Sequence, residues 1–269
     1  MKYKLIAVDI DGTLLNDEFK VSKRTQEAIK KAVEKGIIYV AATGRAMKGA
    51  EFVNDMLEKD LPFITYNGAT VVMGKSGEVL FNKFIEDSVA REVFDIGYQR
   101  GIPMVIWTDN GLWTSSACQQ TIDYNKYYGI EINLIDSLDA TSGSNVFKIF
   151  WVGTDEENQL LQAEMRKRFD GRLNCATSKP EYLEFFSIEA GKEAALEAVG
   201  KRYGIDPSEM IAVGDGFNDI PMLEYAGLGV AMGNAPQAVK EASDHTTISN
   251  NDDGVAVVIE KFILEVPNI

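Results

Sequence analysis

The amino-acid sequence predicts an α/β fold: a Rossmann-like core on a parallel sheet, with a second α/β domain inserted into it. Two observations carry this. Strand-like apolar runs alternate with amphipathic helical stretches in the first and last thirds of the 269 residues, and the middle third follows another rhythm. The chain opens with an apolar run Lys4 to Val8, a helical stretch Ser22 to Lys35, a run Ile37 to Ala41, a helical stretch Ala46 to Lys59 and a run Phe63 to Tyr66. That order reads as βαβαβ. Ser22 stands where an N-cap belongs, Ala28, Ile29, Ala32 and Val33 recur at helical spacing, and Gly36 is placed as a C-terminal stop. A hairpin follows, Thr70 to Val72 with Val79 to Phe81 around Lys75-Ser76-Gly77.

The middle third reads as two helix–strand–strand units. The first is helix Ser88 to Arg100 with strands Pro103 to Trp107 and Leu112 to Ser115 across Asp109-Asn110-Gly111. The second is helix Glu156 to Phe169 with strands Arg172 to Ala176 and Tyr182 to Phe186, preceded by a strand Val146 to Val152. The last third resumes the alternation of the first, with helix Lys192 to Tyr203, strand Met210 to Val213, helix Asn218 to Tyr225, strand Leu228 to Ala231 and a helix from Gly254 to about Leu264. Residues 1–82 and 190–269 are therefore expected to form one discontinuous core, and 83–189 an inserted domain.

Apolar residues make up 45% and charged residues 25%, an ordinary globular balance. Acidic residues exceed basic ones by 41 to 27, a field that repels phosphate backbones and anionic lipid, so nucleic acid and membrane are not expected partners. Cys118 and Cys175 lie far apart without a CxxC spacing, which argues against a disulfide framework. No run approaches the length of a spanning helix, and no signal-peptide pattern opens the chain, so a cytoplasmic location is expected. His245 is the only histidine, so multi-histidine metal sites are excluded and carboxylate or lysine chemistry is left.

Chemistry concentrates in four segments. Val8-Asp9-Ile10-Asp11-Gly12-Thr13-Leu14-Leu15 lies at the end of the first strand, where open parallel sheets bind ligands. If the extended backbone persists, Asp9 and Asp11 point the same way, and carboxylates so close call for a cation or a shared proton. A divalent metal is the expectation and a capped turn the competing reading. A calcium loop is excluded, because Gly12 is the fourth residue and Lys20 the twelfth. Ala42-Thr43-Gly44-Arg45 offers a hydroxyl and backbone N–H groups at an expected helix start, a phosphate site or a simple cap. Lys192 follows Gly191 at a helix start, where a cation opposes the dipole and implies an anion nearby or mere solvation. It is no Walker loop, since Glu193 stands where Ser or Thr belongs. Val213-Gly214-Asp215-Gly216-Phe217-Asn218-Asp219 brings further carboxylates to a strand end, and oxygen ligands from Asp9, Asp215 and a backbone carbonyl would suit Mg²⁺.

Taken in order, these segments resemble the four motifs of haloacid dehalogenase-like (HAD) superfamily phosphatases, in particular the Cof-type sugar-phosphatase branch with a subclass IIB cap. Ile64-Thr65-Tyr66-Asn67-Gly68-Ala69, Gly229-Val230-Ala231-Met232-Gly233-Asn234-Ala235 and Asp253-Gly254-Val255-Ala256 extend the resemblance over the whole chain. It implies that Asp9 is the nucleophile of an aspartyl-phosphate pathway and that Asp11 is the general acid and base. It further implies Mg²⁺ held by Asp9, Asp11 (through its carbonyl) and Asp215. Ile10 (through its N–H), Thr43, Gly44, Lys192 and Asn218 would grip the phosphoryl oxygens, with Asp219 orienting them from behind. The implied substrate is a small phosphorylated metabolite, with sugar phosphates first and cofactor phosphates second. A phosphosugar mutase and a non-catalytic phospho-ligand sensor are the alternatives. Neither the oligomeric state nor the cap residues that set specificity can be read. Trp107, Trp113, Tyr124, Tyr127, Tyr128 and Trp151 are read as core, Glu181 and Glu184 as a solvated strand face, and His245 as structural.

Overall fold

Apolar runs without polar alternation need cover on both faces, and here they become the central strands of a parallel sheet. The computed structural model describes residues 2–57, 59–128, 131–141 and 143–266. Its first segment contains β1 (Leu5–Asp9), α1 (Lys23–Glu34), β2 (Ile38–Ala42), α2 (Phe52–Leu57), β3 (Pro62–Thr65), β4 (Thr70–Met73) and β5 (Val79–Asn82). The middle holds α3 (Asp87–Gln99), β6 (Met104–Thr108), β7 (Gly111–Thr114), α4 (Gln119–Tyr128), β8 (Ile132–Leu134), β9 (Val146–Val152), α5 (Asp155–Arg168), β10 (Leu173–Lys179) and β11 (Tyr182–Ser187). The last segment runs α6 (Lys192–Tyr203), β12 (Met210–Gly214), α7 (Ile220–Tyr225), β13 (Leu228–Ala231), α8 (Gln237–Glu241), β14 (His245–Thr246) and α9 (Gly254–Phe262). The chain divides into two compact units: residues up to Asn82 with those from Gly191 onward, and Lys83–Ala190.

The first unit is built on one eight-stranded sheet in the order β14-β13-β12-β1-β2-β3-β4-β5, parallel through β3 and antiparallel beyond. Along β1, Ile6 and Val8 pack into a cluster with α1 and α9, whereas Leu5 and Ala7 face one with α6 and α7. Each strand of this kind is therefore covered twice, which explains the absence of polar alternation in Lys4 to Val8. The chain grows outward from β1 to β3 on one side and from β12 to β14 on the other. The carboxyl ends of β1, β2 and β12 thus surround a topological switch point, where open sheets bind ligands.

The second unit has a six-stranded sheet, β10-β11-β9-β6-β7-β8, antiparallel except between β7 and β8. Ile149, Trp151, Leu183 and Phe185 pack one of its faces against Val93 and Phe94 of α3 and Met165 of α5. Trp107 and Trp151 are buried and Trp113 is half-buried, its indole N–H donating to the Thr108 hydroxyl. The side chains of Tyr124, Tyr127 and Tyr128 lie outside the described residues.

Several expectations are corrected. Glu184 is not on a solvated face: it is 4% exposed and accepts from Lys148 Nζ of the neighbouring strand at 3.0 Å. A buried ion pair carries a large desolvation cost, which a strand-face pattern does not reveal. The helix expected over Ala46 to Lys59 is a 3₁₀ turn, Met47–Gly49, followed by the short α2. Arg45 Nη1 donates to the Gly49 carbonyl, the group a continuous helix would have used, so the helix restarts at Phe52. The helix expected from Asn218 begins at Ile220 instead, after a 3₁₀ turn Phe217–Asp219, because Pro221 suits only a first helical turn. Two elements went unforeseen in the middle third: α4, whose sequence carries little apolar periodicity, and the three-residue edge strand β8.

Candidate active site

β1 delivers Asp9 at its carboxyl end and the chain turns at once. The Leu14 and Leu15 amides donate to the carbonyls of Asp9 and Ile10, and Gly12 takes φ +78°. Ile10 sends its side chain into the core, leaving its backbone at the turn. Because the extended conformation stops at Asp9, the two carboxylates of the opening motif part company. Asp9 is 6% exposed and bonds to Lys192, whereas the half-exposed Asp11 carboxylate is gripped by the Arg45 guanidinium through Nε at 2.8 Å and through Nη2. Arg45 went unnoticed in the sequence as a partner of Asp11.

β2 leads into Thr43 and Gly44. No helix starts there, so the helix-dipole reading of this segment is replaced by turn geometry: the buried Thr43 hydroxyl accepts the Arg45 amide at 3.1 Å. Tyr66, Asn67 and Gly68 take φ of +51°, +57° and +93°, three successive left-handed residues. For Tyr66 this conformation costs about 1–2 kcal/mol, a cost proteins bear mainly where a site needs it. A Cβ on Gly68 would lie 2.2 Å from the Gly191 carbonyl, so glycine is what brings this turn against the start of α6. Asn67 Oδ1 accepts from Asn218 Nδ2 at 3.1 Å, and it would lie 2.7 Å from a Cβ at Gly44. Asn67 thereby joins Gly44 and Asn218, a role signalled only by its Asn-Gly dipeptide.

Lys192, on the first turn of α6, is fully buried, and its Nζ donates to Asp9 Oδ1 and Asp219 Oδ1, both at 2.5 Å. Its expected anion is thus a pair of carboxylates of this chain. The other Asp219 oxygen accepts the amides of Asp215 and Gly216 at 3.0 and 2.8 Å, so both oxygens are engaged. Asp215 accepts from the Thr13 hydroxyl at 2.8 Å. Burial pushes the Asp9 carboxyl well above the usual carboxylate range despite the Lys192 charge, and burial likewise pushes Asp215 up to about 6. Burial pulls the Lys192 ammonium down, but Asp219 and Asp9 more than offset it and its pKa is raised.

Asp9, Asp215 and Asp219 each place an oxygen within 4.8 Å of the others, and Asp11 is not in that group. Fully ionised, these three carboxylates and Lys192 leave two negative charges in excess in a buried space. Hard oxygen donors with that excess fit a small divalent cation such as Mg²⁺. Gly12 touches the same group: a Cβ there would lie 2.4 Å from Asp215 Oδ2, at a φ that L side chains avoid. Gly12→Ala is therefore expected to cost about 2 kcal/mol of stability and to weaken divalent-metal binding, as read by chemical denaturation and by metal titration. His245, half-buried on β14, stacks edge-on against Phe262 with ring centroids 5.5 Å apart, a structural position.

A sheet with a parallel core, whose switch point sets two carboxylates on one buried lysine and a third carboxylate beside them, makes this an α/β protein with an acidic centre. Residues 6–259 match the family model of haloacid dehalogenase-like hydrolases, and the chain belongs to that family. Two Bacillus subtilis (strain 168) proteins, the 5-amino-6-(5-phospho-D-ribitylamino)uracil phosphatases YcsE and YwtE, are each 31% identical to it. YcsE aligns over 262 residues, 97% of this chain and 96% of its own; YwtE aligns over 286, 97% and 98%. The crystal structure of a haloacid dehalogenase-like hydrolase from Bacteroides thetaiotaomicron matches with a TM-score of 0.86 at 29% identity, covering 97% of this chain and 100% of the other.

Proposed function

We propose that the protein is a phosphatase that hydrolyses small phosphomonoesters through an aspartyl-phosphate on Asp9, with Mg²⁺ as its cofactor. The observation that carries this reading is the buried Lys192 bridging Asp9 and Asp219 beside Asp215. Phosphoryl transfer needs charge neutralisation and in-line positioning more than covalent machinery, and this cluster supplies both.

In this reading an Asp9 oxygen attacks phosphorus while the ester P–O bond breaks, and Asp11 gives its proton to the departing alkoxide. Water then attacks the phosphorus of the aspartyl-phosphate, Asp11 takes the water's proton, and Asp9 leaves as a carboxylate with inorganic phosphate released. Thr43, the Gly44 and Ile10 N–H groups, Lys192 and Asn218 hold the phosphoryl oxygens. Asp219, with both oxygens occupied, orients Lys192 and the Asp215 backbone rather than binding metal. Asp9, Asp215 and the Asp11 carbonyl would hold Mg²⁺, which when bound supplies fixed positive charge against the transferring phosphoryl group. The Arg45 grip on Asp11 supports a further assignment, that Arg45 orients this carboxylate between its two proton transfers.

Substrates in this reading are phosphate esters on sugar or polyol hydroxyls, a class to which the ribityl phosphate in the names of YcsE and YwtE belongs. The second unit, residues 83–190, is assigned the choice of leaving group, the role the resemblance gives an inserted cap. The reading places the enzyme in the cytoplasm. One feature supports that: both cysteines, Cys118 and Cys175, are free thiols, as a reducing compartment keeps them. The test is phosphate release from a panel of sugar, polyol, triose, nucleotide and cofactor phosphates, with Mg²⁺ and with chelator. Release is expected with Mg²⁺, lost in chelator, and highest for sugar or polyol phosphates. Absence of release from every compound would overturn the phosphatase reading in favour of a mutase or a sensor.

A further inference from the structure

Two segments outside the four motifs hold the turn that follows Asp11. Asn234, in the loop after β13, donates from Nδ2 to the Gly12 carbonyl at 2.8 Å, and its Oδ1 accepts the Asn250 amide at 3.0 Å. A flipped carboxamide would set oxygen against the Gly12 carbonyl and N–H against the Asn250 N–H, so its orientation is determined at both ends. Asn250 Nδ2 in turn donates to the Leu15 carbonyl at 2.9 Å. The loop is itself anchored, with the Gly233 amide on the Ile248 carbonyl at 3.1 Å and Lys240 Nζ on the Gly233 carbonyl at 2.6 Å. Further along the same turn, Asp17 and Asn251 bond reciprocally: amide to Oδ1 at 3.0 Å, Nδ2 to Oδ2 at 2.9 Å.

Gly12 lacks the restraint of a Cβ and stands at φ +78°, so nothing in its own chemistry holds the peptide planes on either side. One of those planes carries the Asp11 carbonyl, and the other leads to Thr13, whose hydroxyl holds Asp215. We infer that Asn234 is a positioning residue for the metal centre: by holding the Gly12 carbonyl it sets the direction of the Asp11 carbonyl and the placement of the Thr13 hydroxyl on Asp215. The inference rests on the reading that Asp9, Asp215 and the Asp11 carbonyl bind a divalent cation. Outer partners of metal ligands commonly govern affinity in this way.

The experiment is Mn²⁺ titration of the full chain followed by electron paramagnetic resonance of the free ion, with melting temperatures measured in chelator. Asn234→Ala is expected to bind Mn²⁺ about 10–100-fold more weakly than wild type, with a melting temperature in chelator within about 2 °C of it. Asn234→Asp keeps the shape but cannot donate to Gly12, so it is expected to show the same weakening and stands in should the alanine variant misfold. Asn251→Ala, which removes two bonds to Asp17 and none to the Gly12 or Leu15 carbonyls, is expected to keep wild-type Mn²⁺ affinity. The inference is overturned if Asn234→Ala and Asn234→Asp bind Mn²⁺ within twofold of wild type, if Asn251→Ala weakens binding equally, or if the Asn234 variants change only the KM for substrate. Wild-type protein that fails to bind Mn²⁺ would overturn the metal reading and this inference together. Wild-type protein that binds Mn²⁺ yet hydrolyses no phosphate ester would overturn the phosphatase reading alone.

Discussion

Asp9→Asn is expected to abolish phosphate release, lowering kcat by at least about four orders of magnitude. The carboxamide is nearly the shape of the carboxylate it replaces and its oxygen can still accept from Lys192, so binding geometry survives while the attacking oxygen is lost. The same substitution removes a charge from a group that burial already disfavours as an anion. The melting temperature in chelator is accordingly expected to hold or rise. The check is phosphate release and thermal unfolding side by side on the two proteins. More than about 1% of wild-type activity in a pure Asp9→Asn preparation would sink the assignment of Asp9 as nucleophile.

Lys192→Met has the second large expected effect, and it appears in both function and stability. The lysine is wholly enclosed and contacts two carboxylates, so its removal leaves those charges facing each other in a medium that cannot solvate them. Removing one partner from a buried ionic cluster typically costs about 3–5 kcal/mol, a drop of roughly 10 °C for a chain of this size. Activity is expected to fall about a thousandfold, because the ammonium is a fixed positive charge at the place where the phosphoryl group gains negative charge. Added Mg²⁺ is expected to recover part of the lost stability, since a cation again neutralises the Asp9 carboxylate. A melting temperature equal to wild type, together with kcat within tenfold, would show that Lys192 is neither the cluster's cation nor a phosphoryl ligand.

The sequence alone already determined most of the order of strands and helices in the first unit, missing the short α8 and β14, and it determined the placement of Asp9 at a strand end. Strands covered on both faces leave a continuous apolar run, and the turn residues after β1 mark where that run stops. It was equally informative about helix α1, where Ser22 caps the N-terminus by accepting the Thr25 amide at 3.1 Å. Only the tertiary structure decided which side chains meet. Lys192 reaches Asp9 across 183 residues of sequence, Thr13 reaches Asp215 across 202, and Asn218 reaches Asn67 across 151. These pairings follow from β1 lying between β2 and β12, a result of crossover topology that no local period encodes. The same reason hid the Arg45 grip on Asp11 and the Asn234 bond to Gly12. It also concealed the burial of Glu184, whose charged side chain reads as solvent-facing until a lysine on the adjacent strand is seen beside it. Hydrophobic periodicity reports which face of an element is covered, because burial repeats along it, whereas a polar side chain's partner depends on where a distant segment of chain is laid down.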